Sequence, residues 1–116
     1  MGRRTSRHAH GSWAEDLTAR WYERHGYTVI ARHWTMRGGE LDVVARRGSL
    51  VVVCEVKARR NAFMGHPLEA MTPLKQMRVR RAGVAFLHTL GEAGLTLRFD
   101  VASVLGTTLE VYEDFF

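Results

Sequence analysis

Gly39-Glu40-Leu41-Asp42-Val43-Val44-Ala45-Arg46-Arg47-Gly48-Ser49-Leu50-Val51-Val52-Val53-Cys54-Glu55-Val56-Lys57 is the stretch on which the fold turns. Leu50 to Cys54 is dominated by β-branched side chains, which suit a buried extended strand. Ahead of it, Gly48-Ser49 makes a good two-residue hairpin loop, because Gly takes the positive φ of a type II′ turn. With that loop Arg47 faces Leu50, and counting back sets Asp42 opposite Glu55. Shifting the loop to Arg47-Gly48 sets Asp42 opposite Val53 and leaves Glu55 on the same face, two residues along. Lys57 is two further on. Either register predicts two carboxylates and an ammonium at one end of a hairpin, within roughly 5–8 Å of one another. Val51 and Val53 should share their face, and Val52 and Cys54 the other.

Two adjacent carboxylates repel, so one must take a proton or a cation must sit between them. A hard divalent cation fits such a pair, since Mg²⁺ commonly uses one or two carboxylates and fills its shell with water and substrate phosphate. The plainer reading is a strand-end salt bridge of Lys57 with Glu55, Asp42 belonging to a turn. Spacing alone leaves both open.

An Asp followed about a dozen residues later by Glu-x-Lys on an apolar strand resembles the PD-(D/E)XK nuclease signature, without the Pro. Gly39 to Arg46 together with Val53-Cys54-Glu55-Val56-Lys57-Ala58-Arg59 resembles the small uncharacterised bacterial YraN-type family, similar to archaeal Holliday-junction resolvases. The likeness continues through Gly11, Ala14-Glu15, Gly26-Tyr27, Phe63-x-Gly65, Lys75 and Arg98-Phe99-Asp100. His33 and Thr35 depart from it where the family tends to have Asn and Arg, as does Cys54, where a bulkier residue is usual. The resemblance implies a restriction-endonuclease-like α/β core and metal-dependent hydrolysis of DNA, of a repair or recombination type. It also implies that Glu15, on the first helix, approaches the metal.

At 116 residues the chain is expected to form one domain with a modest core. Its 46% hydrophobic and 25% charged content is ordinary for a globular protein. A formal charge of +5 favours polyanionic partners. The distribution is more telling: residues 56–81 hold seven Lys/Arg and one acid, whereas residues 98–116 hold one Arg and four acids. The positive charge therefore follows directly on the carboxylates. A lone cysteine, Cys54, excludes an internal disulfide and reads as a small core residue. No apolar run approaches 18 residues, so a cytoplasmic location is expected.

Residues 1–11 are basic and aperiodic and read as a flexible arm, with residues 12–116 as the nuclease-like domain. Ser12-Trp13-Ala14-Glu15 has the form of a capping box, which gives Glu15 a structural role competing with the metal. Helix, three strands, helix and two strands follow: α-β-β-β-α-β-β, a mixed sheet with flanking helices. The strands are expected at residues 27–34, across the central hairpin, and at residues 95–105 and 108–112. A short helical turn is expected at residues 67–71. Thr72-Pro73 should start the second helix by N-cap and N1 preference. Leu74, Met77, Arg81, Ala85 and Leu90 are the expected core side of that helix, and Lys75, Arg78 and Ala82 share another face.

The expected mechanism is phosphodiester hydrolysis with Mg²⁺ or Mn²⁺ held by Asp42, Glu55 and the backbone carbonyl of Val56. Lys57 would position or deprotonate the water and offset negative charge. Arg59, Arg60, Lys75 and Arg78 would hold backbone phosphates, giving affinity without sequence reading. Glu40 is a candidate outer ligand, and Asp100 is better explained structurally. DNA, branched or single-stranded, is the expected partner; a homodimer and an activating protein partner stay open. The competing readings are a non-catalytic nucleic-acid-binding module with the same fold, or an interaction protein whose charge only solubilises it.

Overall fold

The computed structural model describes residues 6–59 and 71–116, with side chains from residue 13 onward. Its elements are α1 (Ser6–Arg24), β1 (Thr28–Met36), β2 (Gly39–Arg47), β3 (Leu50–Arg59), α2 (Pro73–Thr89), β4 (Thr96–Leu105) and β5 (Thr108–Tyr112). The order is the expected α-β-β-β-α-β-β. Helix α1 begins at Ser6, so Ser12 lies inside it and is not its N-cap. It also takes in residues 6–11, more than half of the stretch expected as an arm; residues 1–5 lie outside the described residues, as does the helical turn expected at residues 67–71 except for Met71.

The five strands form one sheet in the order β1-β2-β3-β4-β5. β1–β2, β2–β3 and β4–β5 pair antiparallel, while β3 and β4 run parallel because α2 returns the chain between them. The central hairpin takes the register with Gly48-Ser49 as its loop: Arg47 pairs Leu50 and Val43 pairs Cys54. Gly48 has φ 61, as that turn requires.

Each face of the sheet carries one helix. Leu41, Val44, Val51, Val53 and Phe99 pack with Val79, Ala82 and Phe86 of α2. Val43, Ala45, Val52, Cys54 and Ala102 pack with Tyr22 of α1 and Tyr27. Val51 and Val53 thus divide from Val52 and Cys54 as the pleat demands.

Helix α2 corrects one expectation. Its buried residues are Val79, Ala82, Gly83 and Phe86, spaced at i, i+3, i+4 and i+7. Leu74 and Met77, expected in the core, are 51% and 47% exposed, and Arg81 is exposed as well. The helix approaches the sheet along its glycine: a Cβ at Gly83 would lie 2.9 Å from Cε1 of Phe99. The sheet answers in kind, since a Cβ at Gly39 would lie 3.0 Å from Cβ of Ala82. Those close approaches rotate the helix away from the expected face. Thr72 caps the helix as expected, its hydroxyl accepting from Lys75 N–H, with Pro73 in the first turn.

Candidate functional site

The carboxyl end of β3 meets the amino end of α2 over an open cleft of about 830 Å³. Glu40, Asp42, Glu55, Lys57, Lys75 and Arg78 contribute its charged lining, and Val56 borders it too. Asp42, Glu55 and Lys57 are therefore together on the α2 side of the central hairpin.

Asp42 keeps the α2 side that the alternation of β2 gives it, two residues from Val44. Leu41 packs on that side as well while Val43 packs on the other, so the alternation slips once between Asp42 and Leu41. On the neighbouring strand His33 has φ 53, the left-handed region that non-glycine residues rarely occupy. The β2–β3 ladder ends at Val43 and Cys54. Beyond it the Val56 N–H donates to Asp42 Oδ2 at 2.9 Å. A side-chain carboxylate thus takes the backbone donor that a partner strand would otherwise have accepted.

Glu55 is 3% exposed. Its Oε1 lies 4.0 Å from Lys75 Nζ, and its Oε2 has no hydrogen-bond partner among the described residues. Burial, and then repulsion by Asp42, pushes its pKa up to about 8. Burial raises Asp42 as well, against the opposing pull of the Val56 N–H. Lys57 moves the other way: burial, and then the adjacent Lys75, lowers its amine to about 8. Two carboxyl groups disfavoured as anions thus face two ammonium groups, one disfavoured as a cation.

The sequence predicts Lys75 as a phosphate-facing residue on a separate face of α2. That face, with Ala82, is the one turned to the sheet, and it carries the ammonium to Glu55. The signal was present in the steps 75, 79, 82 and 86, but it could not be chosen over the competing apolar stripe. Arg78 lines the cleft and is exposed. Arg59 ends β3, partly buried and outside the cleft lining. Arg60 lies outside the described residues.

Glu15 is buried on α1, and the structure does not bring it into the cleft lining. His33 Nε2 stands 2.5 Å from its Oε1, and Arg32 Nη2 lies 3.8 Å away while reaching Asp16 at 2.7 Å. Asp42 is still close enough for its charge to be, after burial, the second cause that lifts Glu15 to about 7. Glu40 bridges the two groups, lining the cleft with Oε2 3.9 Å from His33 Nδ1. The role of His33 beside Glu15 was not legible, because it depends on α1 and β1 meeting in space.

Asp100 belongs to the opposite face and to the fold. Its carboxylate accepts from the Tyr22 hydroxyl at 2.5 Å, from Arg98 at 2.8 and 2.9 Å, and from the Asp114 N–H at 2.9 Å. Cys54 is buried, and burial pushes its thiol up, so it is no nucleophile.

Among the described residues no three His, Cys, Asp or Glu side chains are grouped to hold a metal, so the carboxylate pair would need water and backbone to complete a shell. No helix among them is long and apolar enough to cross a membrane.

Comparison with known proteins places the whole of this site inside one family. The profile of the uncharacterised protein family UPF0102 matches residues 14–104. The UPF0102 protein of Leifsonia xyli subsp. xyli is 44% identical over 95 residues, covering 82% of this chain and 80% of its own. That of Acidothermus cellulolyticus is 43% identical over 124 aligned positions, 94% of each chain. That of Geobacter sulfurreducens is 44% identical over 94 residues, 81% of this chain and 73% of its own.

Proposed function

The chain belongs to the uncharacterised protein family UPF0102, and we propose that it is a metal-dependent nuclease hydrolysing DNA phosphodiester bonds, selective for nucleic-acid structure rather than sequence. One observation carries the reading. A buried carboxylate, Glu55, and a half-buried one, Asp42, repel each other in an open cleft whose other charged groups are mainly cationic. Asp42 has a structural use in accepting the Val56 N–H, but burying Glu55 beside it is costly to the fold.

The residues fit a hard divalent cation. Glu55 Oε2 is buried and has no hydrogen-bond partner among the described residues, and Asp42 accepts the Val56 N–H on Oδ2. The raised pKa of both carboxyls means that a cation between them would relieve their repulsion. Asp42, Glu55 and the Val56 carbonyl would hold Mg²⁺ or Mn²⁺, water completing the shell. Such an ion, when bound, polarises a phosphoryl oxygen and acidifies its water.

Lys57 and Lys75 supply the rest. An amine lowered to about 8 sits near neutrality, where it can accept a proton from an attacking water and return it. Lys75, at the mouth of the cleft, offsets charge on the phosphoryl oxygens, and Arg78 holds an adjoining phosphate. Glu15, beside His33 and within reach of the Asp42 charge, adds a third acid behind the pair. Contacts of this kind read backbone and shape, not base sequence.

The test is a cleavage assay with Mg²⁺ or Mn²⁺ over branched, flapped, single-stranded and linear DNA. Wild type should cut at least one of these only when metal is present. Lys57→Ala should lower the rate by about 10²-fold or more while calorimetry gives an unchanged metal affinity, because an ammonium is not a ligand. Equal cleavage by Lys57→Ala, or no metal-dependent cleavage by wild type, would overturn the proposal.

A further inference from the structure

We infer that the outer stripe of α2 is a track for unpaired nucleotides leading out of the cleft; this rests on the nuclease reading and specifies its substrate. Among the described residues four large apolar side chains stand exposed, and three of them are on α2: Leu74 at 51%, Met77 at 47% and Val84 at 49%. Exposed apolar residues scattered singly are ordinary. These are aligned. Positions 74, 77, 81 and 84 advance by three or four, so they form one stripe, with Arg81 in it and Arg78 beside it. Both arginines are exposed, and α2 contains no acidic residue at all.

The stripe begins at the chemistry, because Leu74 and Arg78 line the same cleft as Asp42, Glu55 and Lys57. Arg80 does not belong to it: its guanidinium donates to the Phe116 carbonyl and stands over the Phe116 ring, so it serves the fold. Ten helical residues rise about 15 Å, which matches roughly four nucleotides at stacked spacing.

Apolar and guanidinium groups side by side fit a single strand better than a duplex. A duplex hides its base faces and presents phosphates, which would engage the arginines and leave Leu74, Met77 and Val84 without contacts. Unpaired bases turn apolar faces outward, and leucine and methionine are among the side chains that wedge against opened base steps. Arginine meets the phosphate between them or stacks on the base itself. A strand lying on this stripe would be carried from Arg81 past Arg78 to the ammonium pair at Lys57 and Lys75. The expected substrate therefore has an unpaired segment beside the scissile bond, as a flap, a gap or a branch point does.

The experiment measures binding by fluorescence anisotropy without metal, so that nothing is cut. The probes are a single-stranded oligonucleotide and a blunt duplex of equal length. Leu74→Ser with Met77→Ser should weaken single-strand binding about tenfold and leave duplex binding unchanged. Arg78→Gln with Arg81→Gln should weaken both and flatten the salt dependence by up to about two units. All four side chains are exposed, so the melting temperature should be unaltered, and that measurement confirms folding. If the Leu74/Met77 variant loses affinity for both probes alike, or for neither, the track is wrong. If instead sedimentation shows that it breaks a wild-type dimer while single-strand binding persists, the stripe is an interface between copies and the inference falls. Wild type that cleaves with metal while either of these holds loses only the inference. Wild type that neither binds nor cleaves nucleic acid loses the nuclease reading as well.

Discussion

Glu55→Gln tests directly whether the cleft holds a carboxylate against its own charge. Glu55 is buried, with one oxygen 4.0 Å from Lys75 Nζ and the other without a hydrogen-bond partner among the described residues, and its pKa rises from 4.5 to about 8. A carboxyl raised on folding binds its proton more tightly when folded, so its stabilisation is complete below about pH 4.5 and is lost as pH climbs towards about 8. Each pKa unit corresponds to about 1.4 kcal/mol, which caps the loss at about 5 kcal/mol. Sharing of the proton with Asp42 lowers the expected value to about 2–3 kcal/mol. Glutamine keeps the shape and does not titrate. The variant should therefore match wild type near pH 5 and exceed it by about 2–3 kcal/mol near pH 8 in metal-free solution. Glu15, also raised, titrates alike in both proteins and cancels from the difference. Lys57 is lowered to about 8 from 10.5, so its contribution changes mainly above that window and with the opposite slope. Urea denaturation in chelator at several pH values between about 5 and 8 measures the difference. Adding Mn²⁺ near pH 8 should then stabilise wild type and do little for the variant. Parallel stability curves for the two proteins would show that Glu55 is not held against its charge, and the argument for a cation would fail with it.

Asp42→Asn should weaken Mn²⁺ binding markedly, because an amide can still accept the Val56 N–H but no longer carries charge; calorimetry giving equal affinities would discard Asp42 as a ligand. Gly83→Ala should destabilise the fold by about 1–2 kcal/mol net of the helix propensity it gains, since its Cβ would stand 2.9 Å from Phe99 in a ring stacked on Phe116. An increase in melting temperature would contradict that packing. Tyr22→Phe removes a buried donor to Asp100 and should cost about 1–2 kcal/mol in urea unfolding, with DNA cleavage unaffected because Asp100 is on the opposite face; a change in cleavage without a change in stability would tie Asp100 to the site.

The central hairpin was legible because everything that decides it is local. β-branched residues select the extended backbone, Gly48 supplies the positive φ of the turn, and a two-residue loop leaves little freedom of register. Asp42, Glu55 and Lys57 then had to gather, being separated by a short, countable path. Lys75 and α2 were different. Leu74, Met77, Val79, Val84 and Phe86 leave apolar residues on more than one side of the helix, so periodicity does not select the face. Contact does: Gly83 against Phe99 and Gly39 against Ala82 let the backbones approach on one side only, and that rotation sends Lys75 to Glu55 and Leu74 to solvent. Glu15 shows the same division. Its sequence context suggested a cap, whereas burial and the contact with His33 arise only where α1 lies against β1. Turn chemistry and pleat are settled by neighbours along the chain. Helix rotation, and the partner a buried charge finds, are settled by surfaces that meet only after folding.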